Sequence, residues 1–170
     1  MTDDTRTIAR FMIWGGWAIF LALLTLFFNK QIDKIQNPNQ SVTAEAQPNS
    51  GQAVVLKRNR DGHYVASGLI NGVEVVFVID TGASDVSVPA SLANKLGLKK
   101  ISPVRYQTAN GSVLGYRTIL NTVQLGNIVL HDIRGGINPG MRGNQVLLGM
   151  TFLKKVEFTQ RGNELIIRKY

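Results

Sequence analysis

The hydrophobic and polar positions divide the chain into three stretches. Residues 11–28 contain no charged side chain, residues 29–53 are rich in Gln, Asn and Ser, and from residue 54 short apolar runs alternate with turn residues. A helix of 18 residues is about 27 Å long, close to the ~30 Å hydrocarbon core of a bilayer. The pattern therefore predicts a tail at residues 1–10 followed by a transmembrane anchor at residues 11–28.

A buried core helix and a cleaved signal peptide are the alternatives for this anchor. A core helix normally has a polar face, which residues 11–28 lack. A signal peptide has a small-x-small cleavage site directly after its apolar region, whereas polar residues 29–31 follow here and the first fitting pattern comes only at residues 44–46. The sequence thus favours an uncleaved anchor. Residues 29–53 have a composition that cannot form a core and are predicted to be a flexible linker.

From residue 54 onward the pattern predicts strands and little helix. Asn-Gly pairs at residues 71–72 and 110–111 each separate two apolar runs, and Asn-Gly is the strongest two-residue hairpin signal. One short helix is expected between Pro89 and Gly97, with a further short turn after Gly149. The predicted strands are residues 64–70, 73–79, 104–109, 112–118, 119–125, 128–133, 146–148, 156–159 and 165–168. Closely spaced strands of this kind indicate a mostly β fold, a small closed or nearly closed barrel.

Composition and charge exclude several kinds of site. The chain has no cysteine and only two histidines, His63 and His131, so disulfides, thiolate metal sites and multi-His clusters are excluded, and no metal or cofactor is expected. The net charge is +8, but the basic residues are scattered and no aromatic residues interleave with them to stack on bases. Solvated surface is the better interpretation, and no nucleic-acid partner is expected.

Asp80 ends the apolar run of residues 75–79 and is followed by Thr81 and Gly82. Such a run is typical of a strand buried on both faces, and an unpaired carboxylate beside a core is costly. Gly82 allows a close approach of the backbone, whose N–H groups can hold the carboxylate, and Thr81 offers a hydroxyl that can lock the loop.

The chemistry of such an acid depends on what faces it. Two carboxylates about 3 Å apart cannot both ionise, so one stays protonated while the other can activate a water molecule. Such a pair hydrolyses amides without a metal or a covalent intermediate. The alternative for Asp80 is a structural carboxylate that accepts N–H bonds at a strand end. Asp85, nearby, is expected to be a local hydrogen-bonding or surface residue.

Three elements in order resemble the retropepsin-like aspartic peptidases, more narrowly the bacterial membrane-anchored group of that family (clan AA). They are a catalytic loop, the tip of a flap hairpin, and a hydrophobic-hydrophobic-Gly element that supports the loop, and the resemblance extends over residues 54–170. The residues are Asp80-Thr81-Gly82-Ala83-Ser84, Thr108-Ala109-Asn110-Gly111 and Leu147-Leu148-Gly149, and Met150-Thr151-Phe152-Leu153 continues the last element as in the bacterial group. The resemblance implies a retropepsin (half-pepsin) barrel, Asp80 as the catalytic acid, and a flap that binds substrate.

The resemblance also implies a homodimer. The sequence has one Asp-Thr-Gly and no Asp-Ser-Gly, and Asp132 is followed by Ile and Arg, so the second acid must come from another copy of the chain. The expected function is that of a membrane-anchored aspartic endopeptidase that hydrolyses an extended peptide. The alternative is a non-catalytic, membrane-tethered dimeric protein-binding module of the same fold, which would not need the acid.

The orientation of the anchor is not decided by charge. Arg6 and Arg10 precede the span, and Lys30 and Lys34 follow it. Only ten residues precede the span, so an uncleaved signal would carry the long following chain across the membrane. The resemblance implies the same arrangement. We therefore expect a single-pass protein of the bacterial inner membrane, with its catalytic domain in the periplasm.

Overall fold

The chain forms two compact units in this computed structural model, Met1–Ile35 and Gln36–Tyr170. The structure describes residues 3–42, 44–47, 51–108 and 111–170.

The first unit consists of helix α1, Asp3–Gln36. Its segment Arg10–Gln36 is long and apolar enough to cross a membrane, and its large apolar side chains are exposed. An apolar surface on all sides of a helix is stable only when something other than water covers it. Helices of this length and composition near an N-terminus occur both as membrane spans and as signal sequences.

Helix α1 extends beyond the predicted residues 11–28 at both ends. Residues 29–36 contain neither Gly nor Pro, so nothing in them interrupts the helix. Pro38 disfavours helical backbone at Asn37, and the helix accordingly ends at Gln36.

The second unit contains two β-sheets and two single-turn helices. The smaller sheet has the strand order β1-β2-β11-β10. The larger sheet has the order β3-β4-β9-β5-β8-β7-β6, and an additional pairing of β3 with β7 closes six of its strands into a barrel. The elements are β1 Ala44–Gln47, β2 Gly51–Lys57, β3 Val65–Ile70, β4 Val73–Ile79, β5 Val86–Pro89, α2 Ala90–Ala93, β6 Ser102–Thr108, β7 Gly111–Leu125, β8 Ile128–Asn138, β9 Gln145–Leu148, α3 Met150–Leu153, β10 Val156–Arg161 and β11 Glu164–Lys169.

The predicted mostly β fold with a closed barrel is confirmed. Side chains from the barrel strands and from α3 fill its interior, and the largest fully buried ones include Phe77, Leu120, Leu148 and Phe152. Strand β6 is the exception, because among the described strands it pairs with β7 alone. Together β6 and β7 therefore form a hairpin at the edge of the barrel.

Asn39 holds the chain that follows α1 against this unit. Its Nδ2 donates hydrogen bonds to the carbonyls of Lys57 (2.9 Å) and Val65 (2.6 Å), and its Oδ1 accepts one from the Lys57 N–H (2.7 Å). The flexible linker expected at residues 29–53 is thus partly folded, and the boundary predicted at residue 54 differs from the structure. The reason is that polar side chains that cannot form a core here satisfy backbone groups of two neighbouring strands.

Candidate active site

Strand β4 carries Asp80 to the end of the barrel. It lies between β3, to which it is antiparallel, and β9, to which it is parallel. The Asp80 N–H donates to the Leu148 carbonyl at 3.3 Å, directly after the pairing of Ile79 with Leu148. Strand β9 therefore fixes the point at which β4 ends and the half-buried carboxylate begins. Within β4 only Val75 and Phe77 are buried, so the strand is not buried on both faces as its apolar run had suggested.

The carboxylate is held by its own loop. The Gly82 N–H donates to Asp80 Oδ1 at 2.8 Å, and the Ala83 N–H donates to the Asp80 carbonyl at 3.3 Å. A Cβ on Gly82 would lie 3.1 Å from Asp80 Oδ1, tighter than almost all contacts of real Cβ atoms. Glycine at this position therefore permits the close approach expected from the sequence.

Gly149 and its neighbours contact the Asp80 loop and support it. The Met150 N–H donates to the Ala83 carbonyl at 2.8 Å, and a Cβ on Gly149 would lie 2.6 Å from that same oxygen. Leu148 is fully buried in the core, and Leu147 pairs with Ser87. The hydrophobic-hydrophobic-Gly element thus contacts the Asp80 loop directly.

Two further residues secure the end of the loop: Thr151, which belongs to the segment that continues the resemblance after Gly149, and Arg134, which sequence reasoning did not single out. Thr151 Oγ1 accepts a hydrogen bond from the Val86 N–H (3.0 Å) and donates one to the Arg134 carbonyl (2.7 Å). Arg134 Nε donates to Asp85 Oδ1 at 2.9 Å. Asp85 therefore forms a hydrogen bond, but its partner is 49 residues away rather than local as had been expected. No local pattern marks Arg134, because its partner is distant in the sequence, and the motif that contains Thr151 does not indicate which groups Thr151 bonds.

The predicted flap coincides with the β6–β7 hairpin. Its strands pair from Ser102 with Arg117 to Thr108 with Gly111. Gly111 has a φ of 105°, a conformation that favours glycine and suits a tight turn. The predicted tip residues Ala109 and Asn110 lie outside the described residues.

One chain contributes one carboxylate to this loop. Within the described residues, the Asp80 carboxylate has a single hydrogen bond, from Gly82. Thr81 and Ser84 are exposed, and Asp132 is an exposed residue of β8. No group of three His, Asp or Glu side chains in the described ranges is placed to hold a metal ion.

Comparison with known proteins identifies relatives of the barrel. A family model described as "gag-polyprotein putative aspartyl protease" matches residues 66–155, which contain the Asp80 loop, the hairpin and the Gly149 brace. An uncharacterized protein of Rickettsia prowazekii is 34% identical over 120 residues, which is 69% of this chain and 51% of the relative. An uncharacterized Sinorhizobium protein is 31% identical over 121 residues, covering 69% of this chain and 52% of the relative. The chain thus spans about half the length of the curated relatives it matches.

A solved structure has the same fold. The crystal structure of a retropepsin-like aspartic protease from Rickettsia conorii matches with a TM-score of 0.57 and 33% sequence identity. The match covers 67% of this chain and 97% of that chain.

Proposed function

The chain belongs to the retropepsin-like aspartic protease family, and we propose that it is a membrane-anchored aspartic endopeptidase. The observation that carries the proposal is the position of Asp80. It lies at the end of the barrel strand β4, in a loop held by Gly82 and braced by Gly149, within the residues that match the family. A carboxylate that only closed a turn would not need a brace from two other elements.

The proposed reaction needs two copies of the chain. Asp80 of each copy would face the other across a two-fold axis, and the two carboxylates would share one proton. The ionised carboxylate takes a proton from water, which attacks the peptide carbonyl carbon, while the protonated one donates to the carbonyl oxygen. Collapse of the tetrahedral intermediate breaks the C–N bond: the amine leaves with a proton from one carboxyl group, and a hydroxyl of the intermediate returns its proton to the other, so the dyad again holds one proton. The exposed Thr81 hydroxyl, which has no hydrogen bond within the described residues, is available to the facing loop.

The proposed substrate is an extended peptide. It would lie between the β6–β7 hairpin and the Asp80 loops, with strand-like backbone hydrogen bonds to the flap residues 108–111. Strand β6 supports this placement, since one of its edges has no strand partner among the described residues.

We place the enzyme in the bacterial inner membrane, with α1 as a single-pass anchor and the barrel in the periplasm. The exposed apolar side chains of α1 support an anchor because a bilayer would cover them. A signal sequence would be removed instead, and the molecular mass of the membrane-associated protein distinguishes these outcomes.

The test uses the full chain in detergent micelles with a library of peptides. We expect the wild type to cleave a subset of peptides and Asp80→Asn to lose at least about 1000-fold in rate, since the dyad supplies both acid and base. Asp132→Asn is the matched control. It removes a carboxylate outside the loop at a φ of 51°, which Asn tolerates, and should leave the rate unchanged.

Mixing tests the shared dyad in the same assay. An excess of Asp80→Asn chains should inhibit the wild type by forming mixed dimers with one carboxylate, whereas Asp132→Asn chains should not. Cleavage by Asp80→Asn at the wild-type rate contradicts the peptidase. Peptide binding without any cleavage by the wild type favours the non-catalytic binding module.

A further inference from the structure

The side chain of Tyr106 lies on a surface made of two glycines. Tyr106 belongs to β6, and a Cβ on Gly115 of β7 would lie 2.9 Å from its Cε2. A Cβ on Gly136 of β8 would lie 2.6 Å from its Cζ and would overlap its hydroxyl. The ring therefore fills a space that exists only because both glycines lack a side chain. We call Gly115 and Gly136 the glycine platform.

The hydroxyl at the end of this ring is buried and has no hydrogen-bond partner in the part of the chain that the structure describes. Buried polar atoms in native proteins are nearly always paired, because an unpaired one keeps its full desolvation cost. Burial also raises the pKa of Tyr106, and the charge of Asp85 raises it further, while Arg117 and Arg134 act in the opposite direction. The position of the ring on the platform is thus a costly one.

The platform adjoins the end of the Asp80 loop. Gly136 pairs with Ser87 of β5, and β5 begins directly after Asp85. Tyr106 itself is on the hairpin that we propose closes over substrate. Tyr106 pairs with Val113, two pairs from the Thr108–Gly111 pair that ends the hairpin. Its ring therefore lies between the flap strand β6 and Gly136 of β8, beside the strand that follows the catalytic loop, a place that the proposed extended peptide would cross.

We propose that Tyr106 gates the substrate cleft. In the free chain its ring occupies the glycine platform in place of a substrate side chain. When a peptide binds, the ring leaves the platform and the hydroxyl donates a hydrogen bond to a peptide carbonyl, which supplies the partner it lacks. This inference rests on the proposed peptidase function, because it assigns the space above the platform to the substrate.

The Tyr106→Phe variant distinguishes a Tyr106 that gates the cleft from a Tyr106 that only packs against the barrel. The variant keeps the ring and removes the unpaired hydroxyl, so the free state should be stabilised and the Tm of the full chain should rise by about 2–4 °C. The bound state loses its new hydrogen bond, so KM should rise roughly three- to tenfold with a smaller change in kcat. Stability and affinity therefore change in opposite directions. A packing residue would leave KM unchanged.

Two further variants complete the test. Gly136→Ala puts a methyl group where the hydroxyl lies, so neither the ring nor a substrate side chain can occupy the platform; we expect a lower Tm and a KM at least about threefold above that of the wild type. Tyr116→Phe is the matched control, since it removes a hydroxyl from the same hairpin at a ring that contacts Lys100 Nζ 4.5 Å from its centroid. Its Tm and KM should equal those of the wild type.

The assay uses a fluorescence-quenched peptide selected from the cleavage library, with the full chain in detergent micelles. Peptide Kd is also measured by fluorescence anisotropy on the Asp80→Asn background, so affinity can be read without turnover. A Tyr106→Phe variant with unchanged Tm and unchanged Kd overturns the gate, as does a Gly136→Ala variant whose Kd equals that of the wild type. If these results overturn the gate but cleavage still depends on Asp80, the proposed peptidase function stands. Cleavage that does not depend on Asp80 overturns the proposed function instead.

Discussion

The Asp80 loop and the β6–β7 hairpin lie at the same barrel but are held in different ways. The loop is bonded to β9 through Leu148, to α3 through Met150, and to β8 through Thr151 and Arg134. Strand β6 of the hairpin is bonded to β7 alone among the described strands. The carboxylate is therefore held by several elements, whereas the proposed flap is attached on one side only.

This comparison has a physical meaning for catalysis. In the proposed dimer, the Asp80 carboxylate meets its counterpart at about 3 Å and tolerates little displacement, since misplacement by ~1 Å can cost about 100-fold in rate. A flap must instead open to admit a peptide, so each additional strand partner would add hydrogen bonds to be broken. Variants of the loop should therefore impair stability and activity together, and variants of the flap should impair activity alone.

The largest effect is expected at the brace. Gly149→Ala introduces a Cβ 2.6 Å from the Ala83 carbonyl, and backbone must move because neither atom belongs to a flexible side chain. Gly149 has φ −89° and ψ −169°, which alanine adopts freely, so the cost is steric. We expect a loss of about 3 kcal/mol in the free energy of unfolding and a fall of kcat by at least about tenfold.

Urea denaturation and peptide cleavage by the full chain measure the two quantities. Gly16→Ala is the control, since it makes the same chemical change in α1, where a Cβ meets no atom within 4 Å. Wild-type stability in Gly149→Ala would show that the loop adapts, and the contrast with the hairpin would then fail.

An intermediate effect is expected at Thr151. Thr151→Val keeps the shape of the side chain but removes the acceptor of the Val86 N–H and the donor to the Arg134 carbonyl. Leaving the Val86 N–H unpaired beside a fully buried side chain should cost about 1–3 kcal/mol in the free energy of unfolding. The activity should fall as well, because β5 begins at the end of the Asp80 loop.

Thr118→Val is the matched control, and we expect it to change the free energy of unfolding in the opposite direction. Thr151 is half-buried, whereas Thr118 is buried, 1% exposed, and its Oγ1 has no hydrogen-bond partner within the described residues. Thr118→Val should therefore leave stability unchanged or raise it by up to about 1 kcal/mol. Urea denaturation measures the free energy of unfolding of both variants. Equal changes in Thr151→Val and Thr118→Val would show that the Thr151 hydrogen bonds do not stabilise the loop.

The sequence predicted best those features that depend on neighbours along the chain. The turn at Asn71 and Gly72 joins β3 to β4 as expected, and both residues have positive φ. Gly97, expected as the end of the short helix, has a φ of 65°. The helix itself is shorter than predicted and spans Ala90–Ala93, with further turns up to Gly97.

Features that depend on distant partners were predicted poorly. Strand β5, four residues long, was not predicted, because its pairing with β8 and β9 rather than its length stabilises it. Residues 112–118 and 119–125 were predicted as two strands, but no turn residue separates them and β7 runs through both. Asn39 was assigned to a linker, although it bonds to residues 18 and 26 positions away. Composition identifies a polar residue but not the backbone groups that it will satisfy.

The smallest effect on stability is expected at the flap. Gly111→Val places a β-branched residue at a φ of 105°, and the hairpin can relieve this strain by opening its last pair, Thr108 with Gly111. We expect a loss of about 1 kcal/mol or less in the free energy of unfolding. The value of kcat/KM should fall roughly tenfold or more, because a distorted turn no longer closes over the peptide.

Gly72→Val is the matched control, and it shows whether the fall in kcat/KM of Gly111→Val is caused by damage to the flap. Gly72 also has a positive φ, 79°, in the turn of the β3–β4 hairpin, and a Cβ at either glycine meets no described atom within 4 Å. The two substitutions thus impose the same kind of strain on two hairpins, but β3 and β4 each have a second strand partner and cannot open as easily. Gly72→Val should therefore lower stability more and kcat/KM less than Gly111→Val does. If both variants lose activity in proportion to their loss of stability, strain alone explains the result, and the hairpin has no separate role over the carboxylate.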